Sequence, residues 1–323
     1  MKGVARHPVI AFTALTYLLS WWPLLVDSDI SGGIFPFGPT LAAIIVTALL
    51  LGRPGLRELW DRQIRRPPRR RWYAIVLAVP IAYSLLAVAI TLALGASAET
   101  DELNKLAIFP ALLIIRIVLA GPLGEELGWR GFALPRLQCR LSALEASLVV
   151  GVIWATWHLP FLISGDSSGG QFAALWVSTL SASVILTWVF NSTNGSVLMT
   201  TLLHGTQSAM AGGSFSAAFD HGADLTTWSW ALAGTTVLTA IIVIVKAGPQ
   251  QLSNRPRQQL EYTKSTADQK LSEKPGPDRE FTRATTSGRR QQRERPLLLF
   301  AHRSSDLAER PEHRFAWKPA VSA

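Results

Sequence analysis

The sequence predicts an all-α fold: a polytopic transmembrane bundle of about eight helices, followed by a disordered basic C-terminal tail. Three observations lead there. Charge is unevenly spread, with 28 ionised side chains in residues 1–245 (roughly 11%) and 25 in residues 246–323 (roughly 32%). A soluble domain carries about a quarter charged residues, so the first part is too apolar for water and the second too polar to build a core. Apolar runs near the length of about 20 residues that crosses a bilayer recur through the first part. The loops between those runs alternate in the sign of their charge, as cytoplasmic enrichment in Lys and Arg requires.

The expected spans are 8–26, 34–51, 73–94, 106–122, 143–163, 172–190, 197–212 and 227–245. Lys2 and Arg6 precede the first, and Asp27 and Asp29 follow it. No small-x-small cleavage site follows Val26, so this run reads as a retained helix rather than a signal peptide. Residues 53–72 carry eight Arg against Glu58 and Asp61, which puts that loop inside. Glu99, Asp101 and Glu102 mark the next loop as outer, Arg130, Arg136 and Arg140 the next as inner. Loops 164–171 and 213–226 hold only Asp166, Asp220 and Asp224 as formal charges, and Lys246 opens the basic tail. The pattern implies a multi-pass protein of the cell membrane with both termini cytoplasmic. Cys139 is the single cysteine, which excludes a disulfide scaffold.

The chain thus divides into a membrane domain, 1–245, and a cytoplasmic tail, 246–323, with net charge +7. The bilayer is the expected partner of the first; the basic loop reads as a topology determinant beside lipid headgroups, and nothing in the tail reads as a specific nucleic-acid site.

Ionisable residues at membrane depth are the functional candidates. Glu125, Glu126 and Arg130 lie in the run Gly121–Gly131, at the expected end of the fourth span. On a helix Glu126 and Arg130 share a face and pair, leaving Glu125 about 100° away and free for acid–base chemistry. Gly124 and Gly128 admit close helix packing. Trp154 and His158 lie one turn apart in the fifth span, and His204 and Ser208 one turn apart in the seventh. Read singly, each admits a plain structural role, as a helix-joining charge cluster or a hydrogen-bonded core histidine. Together they place a carboxylate and two imidazoles on three helices. Glu125 sits on the inner half of its span, which predicts a cytoplasmic entrance to the site.

The order Glu-Glu-x-x-x-Arg (Glu125, Glu126, Arg130), aromatic-x-x-x-His (Trp154, His158) and His-x-x-x-polar (His204, Ser208) resembles the CPBP family of CAAX proteases and bacteriocin-processing enzymes, the Abi-type intramembrane endopeptidases. The resemblance covers about residues 105–245 and stops before the tail. It implies that Glu125 activates a water molecule, that His158 holds this water, and that His204 and Ser208 stabilise an oxyanion. Glu126, Arg130 and Trp154 would support the arrangement. The family's third motif usually ends in Asn or Asp; here it ends in Ser208. Glu125, His158 and His204 could form a His₂Glu zinc site, but no His-Glu-x-x-His run is present, and the expectation is a glutamate mechanism without a cofactor.

The leading expectation is an intramembrane endopeptidase acting on a membrane-associated peptide or protein. The alternative is a catalytically impaired member serving as a membrane scaffold or regulator, for which Ser208 is the main support. A transporter ranks below both, because no inverted repeat is evident. Arg116, Trp129 and the tail carry no assigned role.

Overall fold

The computed structural model describes residues 6–26, 33–99, 105–119, 121–219 and 223–259, and among these there is no strand. The helices are α1 (Pro8–Ser20), α2 (Gly38–Ile64), α3 (Arg71–Ala93), α4 (Phe109–Leu119), α5 (122–137), α6 (Ala143–Trp157), α7 (Gly169–Ser192), α8 (Val197–Ala209) and α9 (Asp224–Ala247). Five apolar stretches among the described residues are long enough to cross a bilayer: α2, α3, α7, α9, and α6 extended to Ile163. Each of the eight expected spans falls on a helix. Those over α1, α4 and α8 are shorter than expected, and α5 is an additional rod.

Local chemistry explains the boundaries. α6 and α7 both open on a capping box, Ser142 with Glu145 and Ser168 with Gln171, in which side chain and backbone satisfy each other's free amides. α2 runs past the expected end of its span at residue 51 but is kinked there, at Gly52, with Pro54 just beyond. The helix then carries Glu58 and Arg62 as an ion pair at 2.9 Å, so half of the expected loop 53–72 is helical.

The largest departure is the fourth span. The run expected as one helix over 106–122 breaks after Leu119: Gly121 has φ 109°, which a side chain rarely tolerates, and Pro122 starts a new helix. α5 is built of Pro122–Glu126, a π-helical turn Leu127–Ala133 and Leu134–Leu137. Its glycines bring it close to α2: a Cβ on Gly124 would lie 2.5 Å from Pro36 O, and one on Gly128 2.6 Å from Pro39 O.

Residues 248–259, expected as the start of the tail, pack against the end of the bundle. Gln138 and Asn191 exchange amide hydrogen bonds at 3.2 and 2.8 Å. Asn191 Nδ2 also donates to Gln251 O and Gln138 Nε2 to Gln258 O, while Arg257 Nε donates to Gln138 O. The rest of the tail, 260–323, lies outside the described residues, as do Asp27, Asp29, Asp101, Glu102 and Asp220.

Candidate active site

Glu125, Glu126 and Arg130 are all buried inside the bundle. Arg130 Nη1 donates to Glu126 Oε1 at 2.8 Å, the pair expected from their spacing. Glu126 Oε1 also lies 3.0 Å from His204 Nδ1, which ties α5 to α8. Glu125 is engaged differently. Its Oε2 accepts from the indole of Trp154 at 2.6 Å and from that of Trp129 at 3.2 Å. Both are neutral donors, so this carboxylate has no cation bound to it as Glu126 has. Its other oxygen, Oε1, lies against Gly121, where any Cβ would collide with it. The same glycine that breaks the chain therefore makes room for the carboxylate.

Trp154 is the hub of the site. Its indole N–H holds Glu125, and the Arg130 guanidinium carbon sits 4.6 Å from its ring centroid, within cation–π range. The His204 ring meets it edge-on at 5.1 Å, and its backbone carbonyl accepts from His158 Nδ1 at 2.9 Å. Trp154 was legible in the sequence only as a neighbour of His158. Trp129 was not singled out, yet it lies one turn beyond Glu125, the i,i+4 signal that revealed the Glu126–Arg130 pair.

His158 is the residue that closes α6 rather than one inside a longer helix. The last carbonyls of a helix have no partner within it. Here Trp154 O is taken by His158, Ile153 O by Tyr17 Oη at 2.7 Å and Trp157 O by Trp21 Nε1 at 3.0 Å. Tyr17 and Trp21 stack at 4.6 Å, so α1 clamps the end of α6 that carries the histidine.

A cavity of about 650 Å³ brings the pieces together, with Glu125, His158, His204 and Ser208 all in its wall. Arg116 of α4 and Gln207 of α8 line it too. Gln207 lies about 100° around the helix from Ser208, yet its long side chain reaches the same space, and its Oε1 is buried without a partner among the described residues. Among the described residues no three His, Cys, Asp or Glu side chains are grouped to hold a metal ion.

The cavity wall draws on one set of connections. Ile34, Pro36, Asp166 and Ser167 contribute to its wall, from connections that the charge count places outside. Nothing from 53–72 or 138–142 does. The expected span set Glu125 just past the end of a helix finishing near residue 122. The helix instead continues to Leu137, about 18 Å beyond Glu125 at about 1.5 Å per residue. His158 lies about 22 Å from the start of α6 on the same reckoning, so both residues stand well away from Leu137 and Ala143.

Residues 107–210 match the family model described as Type II CAAX prenyl endopeptidase Rce1-like. A curated relative, CAAX prenyl protease 2 of Methanococcus maripaludis, is 29% identical over 99 residues. That alignment covers 28% of this chain and 36% of the relative, so the chain spans about a third of the length of the curated protein it matches. The matched segment contains all three motifs and the whole of the Glu125–Trp154–His204 cluster, so over about a third of its length the chain is similar to this CAAX prenyl endopeptidase family.

Proposed function

We propose that the chain is an intramembrane endopeptidase that hydrolyses a peptide bond in a membrane-associated peptide or protein, with Glu125 as the general base. The observation that carries this reading is the asymmetry of the carboxylate pair: Glu126 is tied to Arg130 and His204, whereas among the described residues Glu125 meets two indole N–H groups, both on Oε2. Oε1 is left to take a proton from water.

The histidines supply complementary roles. A carbonyl only accepts, so the bond from His158 Nδ1 to Trp154 O fixes the proton on Nδ1, and the neutral ring presents the lone pair of Nε2. That lone pair accepts from the water that Glu125 deprotonates. The resulting hydroxide attacks the carbonyl carbon, and negative charge moves onto the carbonyl oxygen. His204, with Nδ1 engaged by the Glu126 carboxylate, donates to this oxyanion from Nε2 as an imidazolium. Glu125 returns its proton to the amide nitrogen as the C–N bond breaks, leaving a carboxylic acid and an amine, which then exchange the acid proton. The second oxyanion donor is the Ser208 hydroxyl or the Gln207 amide, both in the cavity wall.

The test is cleavage of membrane peptides by the purified full chain in detergent. Glu125→Gln preserves shape and removes the base; retained cleavage would overturn the mechanism. Activity that survives treatment with a strong chelator supports a reaction without a metal. A second reading, a scaffold or regulator that has lost catalysis, is favoured by Ser208 alone. It requires that the wild type and Ser208→Asn be equally inactive.

A further inference from the structure

A second cavity, of about 830 Å³, lies away from the candidate active site and shares no lining residue with it. Its wall is apolar and aromatic. Trp72, Ile75 and Val79 come from the first turns of α3, Trp188 from α7 and Val243 from α9, with the two indoles edge to face at 5.1 Å. Its rim is cationic. Arg69 and Arg71 come from the end of the basic loop, Lys246 from the end of α9 and Arg255 from the segment packed behind it. No Asp or Glu lines the cavity. Arg69, Arg71 and Lys246 are exposed, and Arg255 is held in place by Asn194 Oδ1 at 2.8 Å.

We infer that this cavity is a binding site for one anionic phospholipid of the surrounding bilayer, its phosphate at the four cations and an acyl chain along the Trp72–Trp188 wall. The two halves of the cavity select different parts of one molecule. A hydrated ion gains nothing from the apolar wall, and a neutral lipid leaves four converging cations without a counter-charge. A nucleic acid would need the cations spread along a surface track rather than gathered over a concave apolar wall. A charge cluster that only sets topology has no need of a fixed pocket, whereas here Lys246 and Arg255 return from more than 170 residues along the chain to face Arg69 and Arg71. The start of α3 adds to the effect. No side chain caps it, and the positive end of a helix favours a phosphate.

The site is independent of peptide hydrolysis, and its test is a binding measurement. The full chain in detergent is titrated with phosphatidylglycerol, phosphatidylcholine and inorganic phosphate, and bound lipid is counted by native mass spectrometry. The expected result is a single retained phosphatidylglycerol, which phosphatidylcholine and inorganic phosphate do not displace at equal concentration. Arg71→Gln with Lys246→Gln should weaken retention about thirtyfold, since two cations near the headgroup are removed. Val79→Trp, which fills the wall, should weaken it as well. Arg53→Gln with Arg57→Gln removes as much charge outside the pocket and should leave retention unchanged. Equal loss in that control pair would mean a diffuse field rather than a site, and would overturn the inference. So would equal retention of both lipids, or displacement by inorganic phosphate, which would mark a free-anion site.

Discussion

The two ends of the bundle bury polar side chains in opposite ways. Where residues 248–259 pack, Gln138 and Asn191 use every amide donor and acceptor: each bonds the other, and the returning chain supplies the rest. Among the described residues, Glu126 Oε2 and Arg130 Nε and Nη2 behind the cavity and Gln207 Oε1 in its wall are buried without partners, and Glu125 and both histidines line the open space. A buried polar group normally finds a partner, because leaving one unpaired costs about 1–3 kcal/mol. The Gln138–Asn191 knot is therefore built for cohesion. The unsatisfied end gives up stability to keep groups available for something that binds there.

Four changes probe this contrast, from the largest expected effect to the smallest. Glu125→Gln should lower the rate of peptide cleavage about 10²–10⁴-fold, the span for losing a positioned base, while circular dichroism and melting temperature stay at wild-type values. Trp154→Phe keeps the aromatic ring but removes the N–H to Glu125. A hydrogen bond to a charged group contributes about 1.5–3 kcal/mol, so the rate should fall about 10–100-fold with little change in melting temperature. At the other end, Asn191→Leu should destabilise by about 1–3 kcal/mol in a detergent unfolding titration, by stranding the Gln138 amide. The residual rate per folded molecule should be unchanged, and adding Gln138→Leu should restore part of the stability. A rate loss that matched the stability loss would erase the distinction between the two ends.

The smallest effect separates Ser208 from Gln207. If the hydroxyl is the second oxyanion donor, Ser208→Ala lowers the rate about 10–100-fold, in line with losing one modest donor, and Gln207→Leu leaves it unchanged. The reverse pattern assigns the amide. Ser208→Asn, which restores the usual family residue, should raise the rate in either case.

Much of this was legible from spacing. Glu126–Arg130, Gly124 with Gly128, and the gathering of Glu125, His158 and His204 around one interior all follow from helical periodicity on apolar segments. What escaped was of two kinds. Gly121-Pro122 sits inside an apolar run, and hydropathy alone does not register a break that costs no polar exposure; hence the misplaced helix end. Residues 248–259 are polar enough to look solvated, and composition does not reveal that Gln251, Arg255 and Gln258 have buried amides and carbonyls waiting for them. Trp129 had no role and Trp154 only a supporting one, since the direction in which an indole N–H points is not written in its spacing.

The clamp between α1 and the end of α6 has a consequence for the order of assembly. Tyr17 and Trp21 bond carbonyls 136 residues later in the chain. As domains emerge from the ribosome N-terminal end first, α1 must wait in the membrane, its two donors unmatched, until four further helices have been threaded past it. The last turn of α6, and with it His158, is fixed only when that closure happens. An early segment of the nascent chain thus finishes the youngest part of the half-built site, and a version lacking α1 should insert yet stay unarmed.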